Sequence, residues 1–263
     1  MEILKKTAPR GKLLALDLDS DAVIRFEQKI KENDLRPRVV TVNDNFAQIE
    51  NIIREKAFVD ISGIIADLGF SSWQIEESGR GFSFQKDEPL LMTLDGNGEN
   101  LTAYEIVNSW PEDRLKEIIR EYGEERFAGR IARTIKESRR REKIATTKDL
   151  VAVIEKAVPG AYRRAKIHPA TRTFQALRIA VNDELANLRI FLADAFDALR
   201  PNGRLVVISF HSLEDRIVKN FFREKKQVGR AEVLTKKPLT PSNEEIKSNP
   251  RSRSAKLRAL TKI

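Results

Sequence analysis

Residues 13–30, LLALDLDSDAVIRFEQKI, carry the pattern from which the fold class follows. An apolar run at 13–16 ends at Asp17, and apolar residues then recur at helical spacing from residue 21 to Ile30. A short apolar run is typical of a buried strand, and a spacing of three to four residues is typical of a helix that buries one face. The pattern therefore predicts a strand followed directly by a helix.

The same alternation recurs twice. A β-branched run at 39–42 precedes a helical period at 46–53, and a third apolar run, at 61–66, ends at Asp67. Strands that alternate with helices predict an α/β fold with a parallel, doubly wound sheet. Such a sheet binds ligands at the carboxyl ends of its strands, which is where Asp17 and Asp67 stand.

The middle of the chain follows a different pattern. Residues 68–100 are rich in Gly, Ser and Asp without a clear period, which predicts a long loop of the kind that usually carries function. Helical patterns fill residues 101–167 and predict a small inserted helical domain. Within it, the spacing of Ser109 and Glu112 predicts a helix capping box.

The last third returns to the sheet. Apolar residues in 174–199 step by three or four, which predicts one long helix lying on the sheet. A buried strand at 205–209 and a helix over 213–224 follow. Two late β-rich segments, 231–234 and 256–260, predict an antiparallel hairpin at the sheet edge.

Composition excludes several classes of protein. The chain has no cysteine and only two histidines, which excludes disulfides, thiolate metal sites and cysteine nucleophiles and predicts no metal site. Its longest stretch without a charged side chain, at 205–213, is far shorter than the roughly 20 apolar residues of a membrane-spanning helix. We see no secretory signal pattern, so we expect a cytoplasmic protein without membrane partners.

Positive charge is concentrated in three segments. The chain carries 48 Lys and Arg against 39 Asp and Glu, a net charge of +9. Residues 126–143 hold eight basic against two acidic side chains, 160–178 hold five against none, and 247–263 hold six against none. Such segments favour an anionic polymer as partner. Solvated helix faces and a charged tail are the alternative explanation.

Three sets of polar residues are candidates for chemistry. Asp17 is suited to accept hydrogen bonds from a ribose diol, although an aspartate at a strand end can equally cap the next helix. Asp67 opens a glycine-containing turn. Ser209, His211 and Asp215 offer a hydrolase set, but they crowd into seven residues without a Gly-x-Ser-x-Gly elbow, which disfavours that interpretation.

Several longer strings, in the same order along the chain, closely resemble the ribosomal RNA small subunit methyltransferase H family, also called MraW. They are DLGFSS at 67–72, RGFSF at 80–84, YGEERFAGRIAR at 122–133, HPATRTFQALRI at 168–179, VNDEL at 181–185, GRLVVISFHSLEDRIVK at 203–219 and NPRSRS at 249–254. The likeness runs from about residue 13 to the end.

The resemblance implies an enzyme that uses S-adenosylmethionine to methylate the exocyclic N4 of a cytidine in the decoding centre of 16S rRNA. Its partner would be the small ribosomal subunit. It also implies a class I methyltransferase (Rossmann-like) sheet, formed here by residues 1–100 and 168–263. Residues 101–167 would be an inserted helical domain that recognises the substrate.

The family's motifs also imply roles for single residues. Asp17 matches its ribose-binding acid, Phe46 its aromatic on the cofactor side, and Asp67 and Gln74 its further cofactor contacts. Asp67 is also our candidate catalytic residue, with a backbone carbonyl of residues 68–72 as the alternative, because an acceptor near the cytidine amine would draw its hydrogens and favour attack on the methyl group. The residues expected to face RNA are Arg126, Arg130, Arg133, Arg139, His168, Arg172, Arg178, His211 and Arg216.

The sequence departs from the family at its front. The family begins with a central strand and a glycine-rich loop, and residues 1–10 match only the tail of the helix after that loop. We therefore expect a sheet without its first central strand, from a late start codon, a truncated gene or a remnant enzyme. The alternative function is a non-catalytic RNA- or ribosome-binding remnant. An NAD-dependent oxidoreductase is a third reading, since Asp17 suits NAD, but the Gly-x-Gly-x-x-Gly turn is equally absent.

Overall fold

Six strands lie in the parts of the chain that this computed structural model describes, residues 2–95 and 101–263. They are β1 (Leu13–Asp17), β2 (Val39–Asn43), β3 (Ile61–Asp67), β4 (Leu199–Ser209), β5 (Ala231–Val233) and β6 (Lys256–Lys262).

Thirteen α-helices lie in the same ranges, and together with the strands they confirm the α/β class. They are α1 (Glu2–Lys6), α2 (Ser20–Glu32), α3 (Ile49–Glu55), α4 (Ser72–Glu76), α5 (Ala103–Ser109), α6 (Glu112–Glu121), α7 (Ala128–Arg139), α8 (Thr147–Ala157), α9 (Gly160–Arg163), α10 (Thr171–Asn182), α11 (Glu184–Ala198), α12 (Ser212–Gln227) and α13 (Asn243–Ser248). None of these helices combines the length and apolar character that crossing a membrane requires.

The described residues pack as two compact units. One runs up to Gly69 and resumes with Leu185–Ile263, and the other is Phe70–Glu184. The first holds all six strands and the second is helical. The predicted domain boundaries, at 100/101 and 167/168, remain a prediction, because a unit defined by packing is not yet a domain that folds by itself.

The strand, helix and strand predicted from residue 13 onward are present. β1 and β2 pair in parallel, from Leu13 opposite Val39 to Asp17 opposite Asn43. The side chain of Asp19 caps α2 by accepting a hydrogen bond from the backbone N–H of Asp21 at 3.1 Å. A capped helix that follows a strand after two residues gives the short crossover that a parallel pair needs.

The second sheet contains four strands in the order β3–β4–β6–β5. β3 and β4 are parallel, with Asp67 opposite Ile208, whereas β6 runs antiparallel to both β4 and β5. The two late segments therefore pair as predicted, but only β5 lies at the edge. β6 is internal because it pairs with β4 through six residues.

The parallel strands form two sheets rather than one. In the described ranges, β1 pairs only with β2, and β3 pairs with β4 alone, so each keeps one edge without a strand partner. That the sheet lacks a first central strand stays a prediction. Ile65 on β3 is 55% exposed, which is unusual for a parallel strand, because such strands are normally covered on both faces.

One apolar core holds both sheets in the first unit. Leu192, Phe196 and Leu205 are completely buried in it, and Leu16 of β1 and Ile64 of β3 pack against it. Burying a leucine or phenylalanine side chain contributes roughly 1.5–3 kcal/mol. The two sheets therefore belong to the same folding unit although no backbone ladder joins them.

The long helix predicted over 174–199 is wrong, because the chain breaks it at Asp183. This residue adopts a left-handed conformation, with φ 50° and ψ 36°, and its N–H donates to the carbonyl of Ile179. α10 ends before it and α11 begins after it. The apolar period continues across the break because each helix buries its own face, α10 in the second unit and α11 in the first.

The helices of the second unit surround a core that includes Leu90, Ile106 and Ile131. Capping boxes begin α5 at Thr102 and α8 at Thr146. The box predicted at Ser109 and Glu112 is wrong. Ser109 ends α5 and its hydroxyl donates back to the carbonyl of Glu105, and α6 begins after Pro111, whose side chain cannot cap.

The segment predicted as a loop, 68–100, contains α4 and buried side chains. Leu90 and Met92 are almost completely buried, and Pro89 forms an isolated antiparallel bridge with Thr146. Its last five residues, 96–100, lie outside the described ranges. The described part of this segment thus contributes to the core of the second unit.

An ion pair joins β6 to α12 in the first unit. Nε and Nη2 of Arg258 donate to the two carboxylate oxygens of Asp215 at 2.7 and 3.2 Å, and Lys256 lies 3.6 Å away. Arg258 is only 6% exposed. Burial alone would raise the pKa of Asp215, but the hydrogen bonds and charges of Arg258 and Lys256 outweigh it and hold the pKa below its usual value.

We expect Asp215→Asn to lower the free energy of unfolding by about 2–3 kcal/mol at neutral pH, because it leaves a buried guanidinium without its counter-ion. Since the folded pKa is lowered, the ion pair stabilises the fold above the unfolded pKa and stops doing so as the pH falls through the folded pKa. Urea unfolding at a series of pH values should show that the difference in free energy of unfolding between the variant and the unaltered chain becomes smaller in acid.

The matched control is Asp197→Asn. Asp197 pairs with Arg230 at a similar 2.8 Å, but both side chains are exposed, so this change should have little effect. If the loss of unfolding free energy in Asp215→Asn stayed constant as the pH fell, the stabilising role of the ion pair would be ruled out.

Candidate functional site

The carboxyl end of β3 carries Asp67. The N–H of Leu68 still donates to the carbonyl of Ile208 at 3.0 Å, so the pairing with β4 continues one residue past the strand. Gly69 then turns the chain with φ 92°, a conformation that side chains rarely adopt. The ladder therefore holds the backbone on both sides of Asp67 before the chain leaves the sheet.

A buried carboxylate lies beyond the end of the neighbouring strand. Glu214 is 3% exposed and accepts hydrogen bonds from the N–H groups of Phe210 at 2.9 Å and His211 at 3.3 Å. In return, Nδ1 of His211 accepts the N–H of Glu214 at 3.4 Å. This reciprocal pair begins α12 as a capping box in which histidine replaces the usual serine or threonine.

The two carboxylates influence each other. Loss of surrounding water raises the pKa of Asp67, and the negative charge of Glu214 raises it further. Asp67 is therefore a stronger proton acceptor than an ordinary aspartate, and the proton affinity of a candidate general base is what sets its efficiency. The arrangement suits a group that withdraws a hydrogen from a weakly nucleophilic amine.

Asp17 ends β1, and the structure decides whether it caps a helix. Asp19 is the cap of α2, whereas Oδ1 of Asp17 accepts the N–H of Asp19 at 2.9 Å. Desolvation raises the pKa of Asp17, and the charge of Asp19 adds to the rise. The Asn43 amide fixes the turn by donating to the carbonyls of Asp17 and Leu18 at 3.0 and 2.9 Å. Asp17 is thus an exposed strand-end carboxylate that does not itself cap α2.

Phe46 lies just after β2, beside the same end of the two-stranded sheet. The backbone N–H of Asp44 donates to the carbonyl of Asp17 at 3.1 Å, which joins the two strand ends. The ring of Phe46 packs edge-on against Phe191 of α11, with centroids 5.1 Å apart. Phe46 is therefore a fixed, partly buried apolar wall close to the Asp17 strand end.

Gln74 lies in the other compact unit and has a local role. Its side-chain oxygen accepts the N–H of Ser71 at 2.7 Å, and the Ser71 hydroxyl accepts the N–H of Gln74 at 3.2 Å. The pair forms the capping box of α4, and Gln74 is almost fully buried. Its role as a cofactor contact stays a prediction.

The arginines predicted to face RNA differ in their surroundings. Arg126 and Arg130 are exposed, and Arg133 is 71% exposed on its side chain at 3.7 Å from Glu112. Arg139 has a structural role instead, because its guanidinium donates to the carbonyls at the end of α5, those of Val107 and Trp110, both at 2.7 Å. Desolvation lowers the pKa of Arg139, as does the charge of the next residue.

Arg172 and Arg178 also have partners within the second unit. Arg178 forms a two-pronged ion pair with Glu184 at 2.7 and 2.8 Å and lies over the ring of Phe70. Arg172 donates to the backbone carbonyl of Glu124 at 3.0 Å. Contacts of these arginines with RNA remain predictions, and for Arg178 such a contact would compete with a partly buried ion pair.

Both histidines bind backbone at helix starts. Nδ1 of His168 accepts the N–H of Ala170 at 3.2 Å just before α10, and its ring stacks on Phe84. His211 caps α12, where Arg216 is exposed. The hydrolase set is not formed, because the carboxylate of Asp215 binds Arg258.

Glu214 is the residue of this site that sequence patterns did not single out. The only signal is its spacing, three residues after His211 and at the start of an apolar helical period. That spacing predicts a helix cap, and it says nothing of the nearby Asp67. The connection requires β3 and β4 to be neighbours, which sequence spacing does not reveal.

Comparisons with known proteins bear on the identity of the chain. The "Ribosomal RNA small subunit methyltransferase H" of Syntrophus aciditrophicus (strain SB) is 44% identical over 99% of this chain and 87% of its own length. The proteins of the same name from Sulfurihydrogenibium sp. (strain YO3AOP1) and Heliobacterium mobile are 47% and 46% identical, over 96% and 99% of this chain and 85% and 88% of their own lengths.

The sequence profile of one family covers the whole chain, residues 1–263, and its description is the MraW methylase family. Coverage and identity at this level confirm the resemblance seen in the sequence motifs, and with it the Rossmann-like methyltransferase class of the fold. The chain belongs to the MraW methylase family.

Proposed function

We propose that this protein transfers a methyl group from S-adenosylmethionine to the exocyclic N4 of a cytidine in the decoding centre of 16S rRNA. The observation that carries the proposal is the placement of Asp67, a carboxylate of raised pKa at the carboxyl end of a parallel strand, in a chain of a methylase family. The names of its relatives support small-subunit rRNA as the substrate.

The residues of the first unit fit the cofactor. A ribose diol needs an acceptor, which the exposed carboxylate of Asp17 supplies, and an adenine ring needs an apolar wall, which Phe46 supplies. Both lie at the carboxyl end of their sheet, the usual binding edge of an open α/β sheet. When bound, S-adenosylmethionine would supply an electrophilic methyl group.

The remaining task is to activate the amine. The lone pair of a cytosine amine is delocalised into the ring, so the amine is a poor nucleophile until a hydrogen is drawn away. Asp67 is placed to accept that hydrogen, and its raised pKa makes it a better acceptor. The protein's other contribution would be to hold the amine within reach of the methyl group that S-adenosylmethionine would supply.

Substrate binding rests on charge. Arg130 and Arg133 of α7 suit phosphate contacts that position an RNA without reading its sequence, and Arg126, two residues before α7, is exposed as well. The alternative, a non-catalytic RNA-binding remnant, gains no support from the relatives, which carry the name of a methyltransferase.

The direct test is methyl transfer to small ribosomal subunits that lack the modification. We expect the full chain with labelled S-adenosylmethionine to label the 16S rRNA, and nucleoside mass spectrometry to identify N4-methylcytidine rather than 5-methylcytidine. Label on another base or on carbon 5 would overturn the N4 assignment. Cofactor and RNA binding without transfer would favour the non-catalytic remnant.

We expect Asp67→Asn to reduce the transfer rate by roughly 10²–10⁴-fold, the range for loss of a general base. Because the charge of Glu214 raises the pKa of Asp67, Glu214→Gln should move the acid side of the rate profile to lower pH. Glutamine keeps a side-chain oxygen for the N–H groups at the start of α12. The measurement is single-turnover rate against pH, with the folded state checked by circular dichroism.

The control is Asp60→Asn at the opposite end of β3, where the side chain is exposed beside Arg200. Its rate profile should equal that of the unaltered chain. An unchanged rate for Asp67→Asn, with the cofactor bound, would rule out the assigned role of Asp67.

A further inference from the structure

An aromatic pair lies among the arginines of the second unit. Phe127 directly precedes α7, and Tyr162 lies in α9, and their rings meet edge to face with centroids 4.9 Å apart. Both rings are only partly buried. Nothing in the proposed chemistry uses them, and they lie 35 residues apart in the sequence.

A buried carboxylate fixes both members of the pair. Glu125 is 1% exposed, and its two oxygens accept the Tyr162 hydroxyl at 2.5 Å and the N–H of Phe127 at 2.8 Å. Desolvation and the hydrogen bond to Glu125 raise the pKa of Tyr162, so the hydroxyl keeps its proton and remains the donor. Hydrogen bonds to an ionised carboxylate are short and strong.

The turn that places Glu125 is itself constrained. Glu124 has a φ of 49°, which is uncommon for a residue with a side chain. At Gly123, an added Cβ would lie 2.6 Å from the carbonyl oxygens of Ile119 and Arg172, so only glycine fits. The Arg172 guanidinium holds the turn by donating to Glu124. Backbone strain of this kind persists where surrounding contacts demand it, often at binding sites.

Arg126 covers the aromatic pair. Its guanidinium carbon lies 4.8 Å from the centroid of each ring, and Arg130 lies 5.9 Å from that of Phe127. Arg126 is nevertheless exposed. A guanidinium plane resting on aromatic rings is pre-organised for stacking, because much of its rotamer freedom has already been lost.

The surroundings are strongly basic. Five exposed cations within four residues of Phe127 or Tyr162 along the chain form no ion pair with any described residue. These are Arg126, Arg130, Arg163, Arg164 and Lys166. Unneutralised cations beside a stacking surface complement a ligand that alternates negative charge with flat rings. A single-stranded nucleic acid has that chemistry.

We propose that the Phe127–Tyr162 pair and Arg126 form a nucleobase-stacking site for an unpaired base of the RNA substrate. The base stacks on the Arg126 guanidinium, and the flanking phosphates bind Arg130 and Arg163. This assigns Arg126 to base stacking rather than to a phosphate. The inference rests on the proposed function only in taking RNA as the substrate.

The test uses the full chain and a short single-stranded RNA without self-complementarity that carries 2-aminopurine at its centre. Stacking quenches 2-aminopurine fluorescence, while the anisotropy of a terminal dye reports binding. We expect the unaltered chain to bind and quench. Arg126→Ala should weaken binding about 5- to 100-fold, the range for loss of one stacking contact. Arg126→Lys keeps the charge but should lose most of the quenching.

The control is Arg120→Ala, which removes the same charge from an exposed residue paired only with Glu121 among the described residues. It should change RNA affinity less than about 2-fold, as expected for a surface charge away from the site. Equal losses of RNA affinity for Arg120→Ala and Arg126→Ala would mean that binding depends on net charge alone, and would overturn the proposal. Quenching by Arg126→Lys equal to that of the unaltered chain would do the same.

Two further outcomes are decisive. Tighter binding of the same RNA as a duplex would overturn the assignment to an unpaired base, and competition by polyglutamate as effective as by RNA would point to an acidic protein partner. Methyl transfer to the small subunit is measured separately. Arg126-dependent quenching without methyl transfer would refute the proposed function and leave the stacking site standing, and the reverse result would refute only the stacking site.

Discussion

The parallel pairing of β3 with β4 is the constraint on which the proposed chemistry depends. It joins residues that are more than 130 positions apart in the chain, so that Asp67 lies opposite Ile208 and the turn into α12 begins beside it. Without that register, Glu214 would be an ordinary helix cap and Asp67 an ordinary turn residue. With it, the negative charge of one raises the proton affinity of the other.

Charged side chains have different roles in the two units. In the first unit, Asp215 and Arg258 neutralise each other. Asp67 has no counter-ion among the described residues, and the negative charge of Glu214 raises its pKa, which makes it a better proton acceptor. In the second unit, the Glu125 carboxylate accepts hydrogen bonds that orient Phe127 and Tyr162, and the neighbouring Arg126 and Arg130 are exposed. Charge is thus neutralised where it stabilises the fold and left unbalanced where a ligand is expected.

Much of the fold could be predicted from the sequence because local patterns determine it. The apolar runs that end at Asp17 and Asp67 are strands, as their patterns predict. The break at Asp183 could not be predicted, because an aspartate in a helical period gives no sign of a left-handed backbone. The division into two sheets was not predicted, because periodicity does not report strand order and the family resemblance implied only a sheet without its first central strand.

The candidate site divides in the same way. Asp17 and Asp67 are visible in sequence because strand ends are local features, and their positions match the prediction. Arg139 and Arg178 look like free cations in the sequence, but the structure gives them carbonyl and carboxylate partners that only tertiary packing supplies. The Phe127–Tyr162 pair was missed for the opposite reason, since two distant aromatics form a surface only when the chain brings them together.

A calorimetric titration of the full chain with S-adenosylmethionine, alongside Asp17→Asn and Asp60→Asn, tests the cofactor site. We expect one-to-one binding that Asp17→Asn weakens by roughly 10- to 100-fold, the cost of losing hydrogen bonds to a charged acceptor. Asp60→Asn, at the far end of a strand, should bind as the unaltered chain does. No binding by a folded chain, or equal affinity for Asp17→Asn, would contradict the proposed cofactor site.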